Sequence, residues 1–171
     1  MVVLTSIEVV RKLVSGYMGY RKDKIKEDDL LVRKRLGSEI LKAQEHSKNI
    51  LELLYEKDNT DGMNALKKVK DELDVFYSEI ELSPVGHQYS FLDPKKSTRS
   101  PTESTLKKLV DFDAGMLDSL VNVTLSMGMI EDYIIDEKNV NYQKELAKIR
   151  SNITKSRNNY RDREDFLRRW K

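Results

Sequence analysis

Three aspartates lie close together in the most apolar part of the sequence: Asp111, Asp113 and Asp118. Asp113 falls on the apolar helical stripe there, because it follows Leu109 by four residues. A carboxylate on such a stripe needs either a metal ion with further ligands or a buried positive partner. The first arrangement would support a carboxylate-based metal-dependent enzyme, and the second a buried ion pair, for which Arg163 is our candidate. We favour the buried pair and predict no metal site and no cofactor, because no further ligand set for a hard cation is visible.

The two histidines, His46 and His87, fit no catalytic or metal-binding pattern. A di-iron site in a helical bundle needs a glutamate three residues before each histidine, and the chain has Ala43 and Pro84 at those positions. The chain also lacks cysteine, a Gly-x-Ser-x-Gly nucleophile elbow and a glycine-rich phosphate loop. We therefore predict no catalytic residue and rank an enzyme behind the binding functions.

Basic residues are concentrated in the last part of the chain, where residues 140–171 carry ten Lys and Arg against four acids. At about 100° per residue, four arginines of this segment share one sector of a helix. This possible basic stripe consists of Arg150, Arg157, Arg161 and Arg168. It indicates weak, sequence-independent binding of nucleic acid or of an acidic partner. The alternative is a solvated face whose arginines pair with local acids, and the net charge of only +2 favours it.

The N-terminal segment should begin with a short or interrupted helix. The run from Thr5 to Glu8 has the spacing of a capping box, and an apolar stripe continues from there as far as Tyr20. Residues 21–29 are mostly charged, so the chain either breaks there or continues as a solvated helix, and Asp28 or Asp29 could cap a new helix. The sequence does not decide between these alternatives.

Two long helices should follow. An apolar stripe resumes at Val32 and ends at Leu54, and the dense turn residues 58–62 come next. A heptad pattern of the coiled-coil kind then runs from Leu66 to Ile80.

A connector should separate this helical hairpin from the rest of the chain. Proline disfavours helical backbone at the residue before it, so Pro84 should end the preceding helix and open an irregular connector at about 83–100. The run from Ser100 to Glu103 is a second capping box with proline at its second position. It predicts that the next helix starts at Ser100.

The helix from Thr102 to Ile135 carries more apolar residues than one face can hold. Its first stripe is widened by a second set: Val110, Leu117, Val121, Leu125 and Ile135. We expect this helix to be the most buried of the set and to exceed what a small bundle can cover, which predicts a homo-oligomer. After a turn at 136–139, the last helix should run nearly to the C-terminus.

Together these patterns predict an all-α fold, an antiparallel up-down bundle of four long helices with an additional or continuous N-terminal helical segment. Residues 1–171 should form a single domain. Six residues at the stripe centres should share one core: Leu73, Phe76, Leu120, Val123, Met127 and Ile149.

The function that these patterns favour is a non-enzymatic helical interaction or assembly module that acts through apolar helix faces. We expect a homo-oligomer or a protein partner, and rank nucleic acid second. The chain contains no cysteine, no signal-peptide pattern and no apolar run long enough to cross a membrane. We therefore expect a cytoplasmic protein that does not contact a membrane.

Overall fold

The computed structural model describes residues 4–21, 24–83, 101–138 and 140–168. Every regular element in these residues is a helix, which confirms the predicted all-α fold. The five helices are α1 (Ser6–Leu13), α2 (Ile25–Glu56), α3 (Thr60–Leu82), α4 (Glu103–Ile135) and α5 (Tyr142–Arg168). His87 and the connector after Ser83 lie outside the described residues.

The four long helices form two antiparallel hairpins, α2 with α3 and α4 with α5. In the first hairpin, the Asn59 side chain accepts a hydrogen bond of 2.8 Å from the backbone N–H of Gly62 and so begins α3. In the second, Glu137 adopts a left-handed backbone with φ of 55° just after α4 ends. The chain therefore turns at residues 58–59 and 136–138, as predicted, but residues 60–62 of the first predicted turn already belong to α3, and residue 139 lies outside the described residues.

The two hairpins pack side by side, so that α2 lies along α4 and α3 lies along α5. Where α2 contacts α4, the residue numbers of both helices increase in the same direction. The Thr124 hydroxyl donates to the Glu39 carbonyl at 3.3 Å, and His46 Nδ1 lies 2.7 Å from Glu131 Oε2. Neighbouring helices within a hairpin are therefore antiparallel, whereas neighbours from different hairpins run parallel.

The core runs through the centre of the four long helices. All six residues predicted to form it are buried in one apolar cluster, so the predicted register of these helices is confirmed. No helix among the described residues combines the length and the apolar character that a membrane crossing requires.

The N-terminal segment differs from the expected stripe. The capping box forms as predicted, with Thr5 N–H donating to Glu8 Oε2 at 2.7 Å, but α1 ends at Leu13 instead of continuing to Tyr20. Left-handed backbone follows, with φ of 84° at Gly16 and 76° at Gly19, where a helix cannot continue.

Two predicted helix starts are wrong. α2 begins at Ile25, so the chain does break within residues 21–29, but neither Asp28 nor Asp29 is its cap. α4 is capped by Thr102, whose side chain accepts from the N–H of Thr105 at 3.3 Å, instead of by Ser100, which lies outside the described residues. Both errors concern aspartate or serine residues that are of a type common at helix caps but do not stand at the cap position.

Candidate functional site

Asp113 lies fully buried on α4, at the end of the bundle where α2 begins and α5 ends. Because α4 and α5 are antiparallel, Asp113 faces Arg163, and Arg163 Nε donates to Asp113 Oδ1 at 2.7 Å. Arg163 is equally buried. The candidate pair named from the sequence therefore does meet in the structure.

A second guanidinium and two further carboxylates extend this pair into a network. Arg163 Nη2 lies 2.6 Å from Asp29 Oδ1, and Arg33 Nε lies 2.9 Å from Asp29 Oδ2. Both arginines also donate to Glu164 Oε1, Arg33 at 2.7 Å and Arg163 at 3.1 Å. The buried network thus ties α2, α4 and α5 together at one end of the bundle.

Two tyrosines from the N-terminal segment close the network. The Tyr20 hydroxyl donates to Asp113 Oδ2 at 2.5 Å and accepts from Arg163 Nη2 at 2.7 Å. The Tyr17 hydroxyl donates to the same Asp113 oxygen at 3.3 Å. The rings of Tyr17 and Tyr20 pack edge to face, with centroids 5.6 Å apart. Neither tyrosine was identified from the sequence as a partner of Asp113.

Burial and ion pairing act in opposite directions on the two aspartates. Burial opposes ionisation of Asp29, but the guanidinium groups of Arg163 and Arg33 outweigh it and hold the pKa of Asp29 below its usual value. Burial raises the pKa of Asp113, against the pull of Arg163 and the Tyr20 hydroxyl. Each carboxylate oxygen of both residues is already occupied by a donor from the chain. Both aspartates therefore hold helices together, and all four of their oxygens already accept hydrogen bonds from the chain.

The three aspartates considered as a metal site do not converge. Asp111 and Asp118 are exposed, whereas Asp113 points into the bundle. In the described part of the chain, no group of three or more histidine, aspartate or glutamate side chains is placed to hold a metal ion. The geometry therefore gives no support to the carboxylate-based enzyme.

The basic stripe is divided by acids of α3. Arg157 Nη1 lies 3.0 Å from Glu72 Oε1, and Arg161 pairs with Glu79 through both Nε and Nη2. The Arg157 side chain is only 14% exposed. The other two members, Arg150 and Arg168, are exposed and form no ion pair within the described ranges. Half of the stripe is thus used to join α5 to α3.

An open groove of about 690 Å³ separates α3 from α5 on the outer surface. Val75 and Leu82 contribute apolar surface to it, whereas Arg161 and Arg168 alternate with acids. A groove that carries both signs of charge is a poor site for a phosphate backbone. It adds no evidence for nucleic-acid binding.

The second apolar set on α4 forms, together with Ala114, a row that we call the outer seam. It consists of Val110, Ala114, Leu117, Val121, Leu125 and Ile135. Its spacings of three and four residues, with ten between the last two, place these apolar residues on one face of the helix, which Asp132 shares. α1 packs against α4, and the first three members of the seam are buried.

The rest of the outer seam is only partly covered: Val121 is half-buried, and the members beyond it are exposed. Leu125 is 61% exposed and Ile135 is 59% exposed, and Met129 beside them is 51% exposed. α1 has eight residues and spans about 12 Å, whereas the 33 residues of α4 span about 50 Å. The expectation that α4 is the most buried helix is therefore wrong, since 12 of its 33 residues are buried against 13 of the 32 in α2. Its exposed C-terminal half agrees with the expectation that α4 carries more apolar residues than a small bundle covers.

Comparison with protein-family models, with curated proteins and with solved structures gave no match for this chain. The functional argument therefore rests on the geometry of the chain itself.

Proposed function

We propose that this protein is a non-enzymatic helical assembly module that binds a second copy of itself through the exposed half of the outer seam. The observation that carries the proposal is the exposure of Leu125 and Ile135 on the outer seam, with Met129 beside them, in the C-terminal half of α4. Single exposed leucines are common on protein surfaces, but an ordered apolar row marks an interaction surface.

The spacing of the seam fits a helix as its occupant. Positions three and four residues apart are those that a second helix fills when knobs pack into holes. A second copy supplies such a helix, because its own α4 carries the same row, and a two-fold axis would place the two seams against each other.

Charged residues border the exposed half of the seam. Asp118 and Asp132 each lie seven residues from Leu125 and so share its face of α4. On the neighbouring α2, Arg35 and Lys42 are both paired with Glu39, at 2.8 and 2.9 Å.

The mass of the protein in solution tests this proposal. We expect light scattering after size exclusion to give twice the 20.0 kDa chain mass for the wild type at micromolar concentration, and the chain mass itself for Leu125→Glu. Leu41→Glu is the matched control, because Leu41 is 50% exposed on α2, away from the seam, and should leave the dimer intact. A wild-type mass of 20.0 kDa at every concentration would refute self-association.

The remaining expectations follow from the same proposal. The module acts without chemistry of its own, since both oxygens of Asp29 and of Asp113 are already used to join elements of the bundle. Its place is the cytoplasm, where a chain without cysteine loses nothing by the absence of disulfides.

A further inference from the structure

The N-terminal segment 4–21 is attached to the bundle by buried side chains and by hydrogen bonds. α1 packs on α4 and contributes the buried Val10, and Val14, Tyr17 and Tyr20 are buried beyond it. Beyond α1, the hydroxyls of Tyr17 and Tyr20 reach Asp113. The Asp28 carboxylate accepts the backbone N–H groups of Met18 at 2.8 Å and of Tyr20 at 2.6 Å.

The bundle does not need this segment to satisfy its buried charges. Without the segment, Asp113 would still pair with Arg163, at 2.7 Å, and Arg163 would still pair with Asp29, at 2.6 Å. All three residues belong to the long helices. Removing the tyrosine hydroxyls would open Asp113 Oδ2 to water and leave every carboxylate of the network with a guanidinium. Water can replace a hydroxyl donor at an accessible carboxylate, whereas it could not replace a buried partner charge.

Three residues near the end of the segment adopt left-handed backbone, and we call them the hinge. They are Gly16, Gly19 and Tyr20, with φ of 84°, 76° and 58°. Tyr20 is the unusual member, because a bulky residue rarely adopts this conformation and does so only where its surroundings hold it. The hydrogen bonds of the Tyr20 hydroxyl and of its backbone N–H hold it in this conformation. When these bonds break, Tyr20 can return to an unstrained backbone conformation.

We propose that residues 4–21 form a latch that opens as a unit while the four long helices stay folded. Opening uncovers the surface of α4 on which α1 packs. The latch therefore controls how much of α4 a second copy can contact. That last step rests on the proposed function, whereas the opening itself does not.

Native-state hydrogen exchange on the full chain tests the opening. The latch probes are the amides of Val9, Val14, Met18 and Tyr20, which are bonded within the segment or to Asp28. The core probes are the amides of Leu120 and Ile153. We expect the four latch amides to share one opening and to exchange at least tenfold faster than the core amides.

Asp28→Asn removes the carboxylate that holds the hinge. It should speed exchange of the latch amides by about tenfold, the effect of losing one charged hydrogen bond, and leave the core amides unchanged. The matched control is Asp111→Asn, an exposed aspartate on α4 that should change neither set. If Asp28→Asn does not fold, Tyr17→Phe removes a single hydroxyl contact and should speed the same latch amides to a smaller extent.

Latch amides that exchange at the rate of the core, or an Asp28→Asn change that speeds both sets equally, would overturn the latch. The oligomer mass separates this result from the proposed function. If the latch amides exchange faster than the core amides and the protein is monomeric, the latch is supported and the proposed assembly is refuted. If the protein is a dimer and its latch amides exchange at the rate of the core amides, the latch is refuted and the proposed assembly stands.

Discussion

Arg163 is the residue on which the buried network depends. Its three nitrogen donors reach Asp29, Asp113 and Glu164, and it also bonds the Tyr20 hydroxyl. Burying charges costs free energy that a matched pair recovers only when the remaining polar atoms are also satisfied, as they are at Asp29 and Asp113. The network therefore contributes mainly by fixing which helices meet and in which register, because its bonds are directional and apolar contacts are not.

We expect Arg163→Met to destabilise the protein by about 3–5 kcal/mol, because Asp113 would lose its buried guanidinium partner. The free energy of unfolding in urea measures this change. Arg150→Met, at an exposed arginine without an ion pair in the described residues, should stay within about 0.5 kcal/mol of the wild type. Equal stability of the two variants would show that the network is not held together by Arg163.

At the scale of the helices, α4 has leucines in two different environments, the bundle core and the exposed surface. Leu120 is fully buried in the bundle core, whereas Leu125 lies on the exposed half of the outer seam. The two residues are of the same type and lie five positions apart on one helix. They therefore separate the effect of burial from that of composition.

Leu120→Ala should lower the free energy of unfolding by about 2–5 kcal/mol, because it removes buried methyl groups and leaves a cavity. Leu125→Ala should change it by less than about 0.5 kcal/mol when both are measured by urea unfolding of dilute protein. A Leu125→Ala variant that is as unstable as Leu120→Ala would mean that the exposed seam is covered in the folded monomer.

The sequence predicted the long helices well because their apolar residues recur at three and four positions, as one buried face requires. It also identified Asp113 and Arg163, since a charge on an apolar stripe needs a partner. The other residues of the network were marked less clearly by the sequence pattern. Asp29 lies three residues before Val32 and seven before Leu36, so the same stripe that marks the core of α2 could have marked it as buried.

The N-terminal segment could not be predicted in the same way. The apolar residues from Ile7 to Tyr20 have helical spacing, but Tyr17 and Tyr20 reach the bundle from a loop instead of a helix. Their position depends on contacts with Asp113 and Asp28, which are distant in sequence or outside the stripe. Local periodicity contains no information about such contacts, so the tertiary structure overrides the local pattern.

At the scale of the whole molecule, the charge of the protein is dispersed. The net charge is only +2, and the arginines of α5 that face α3 are neutralised by its glutamates. Among the described residues, the outer surface thus combines an exposed apolar row on α4 with a basic stripe on α5 of which half is paired. We therefore rank the proposed association between protein chains above binding to nucleic acid.

We expect the wild type to bind neither DNA nor RNA more tightly than about micromolar at physiological salt. Affinity for a phosphate backbone grows with the number of counterions that free cations displace, and Arg157 and Arg161 are already paired with Glu72 and Glu79. With Arg150 and Arg168 as the remaining exposed members of the stripe, a plot of log affinity against log salt should have a slope no steeper than about −2. Fluorescence anisotropy with labelled duplex and single-stranded oligonucleotides measures both quantities. Nanomolar binding with a steep salt dependence would show that the arginines leave α3 for the phosphates, and would place nucleic-acid binding ahead of assembly.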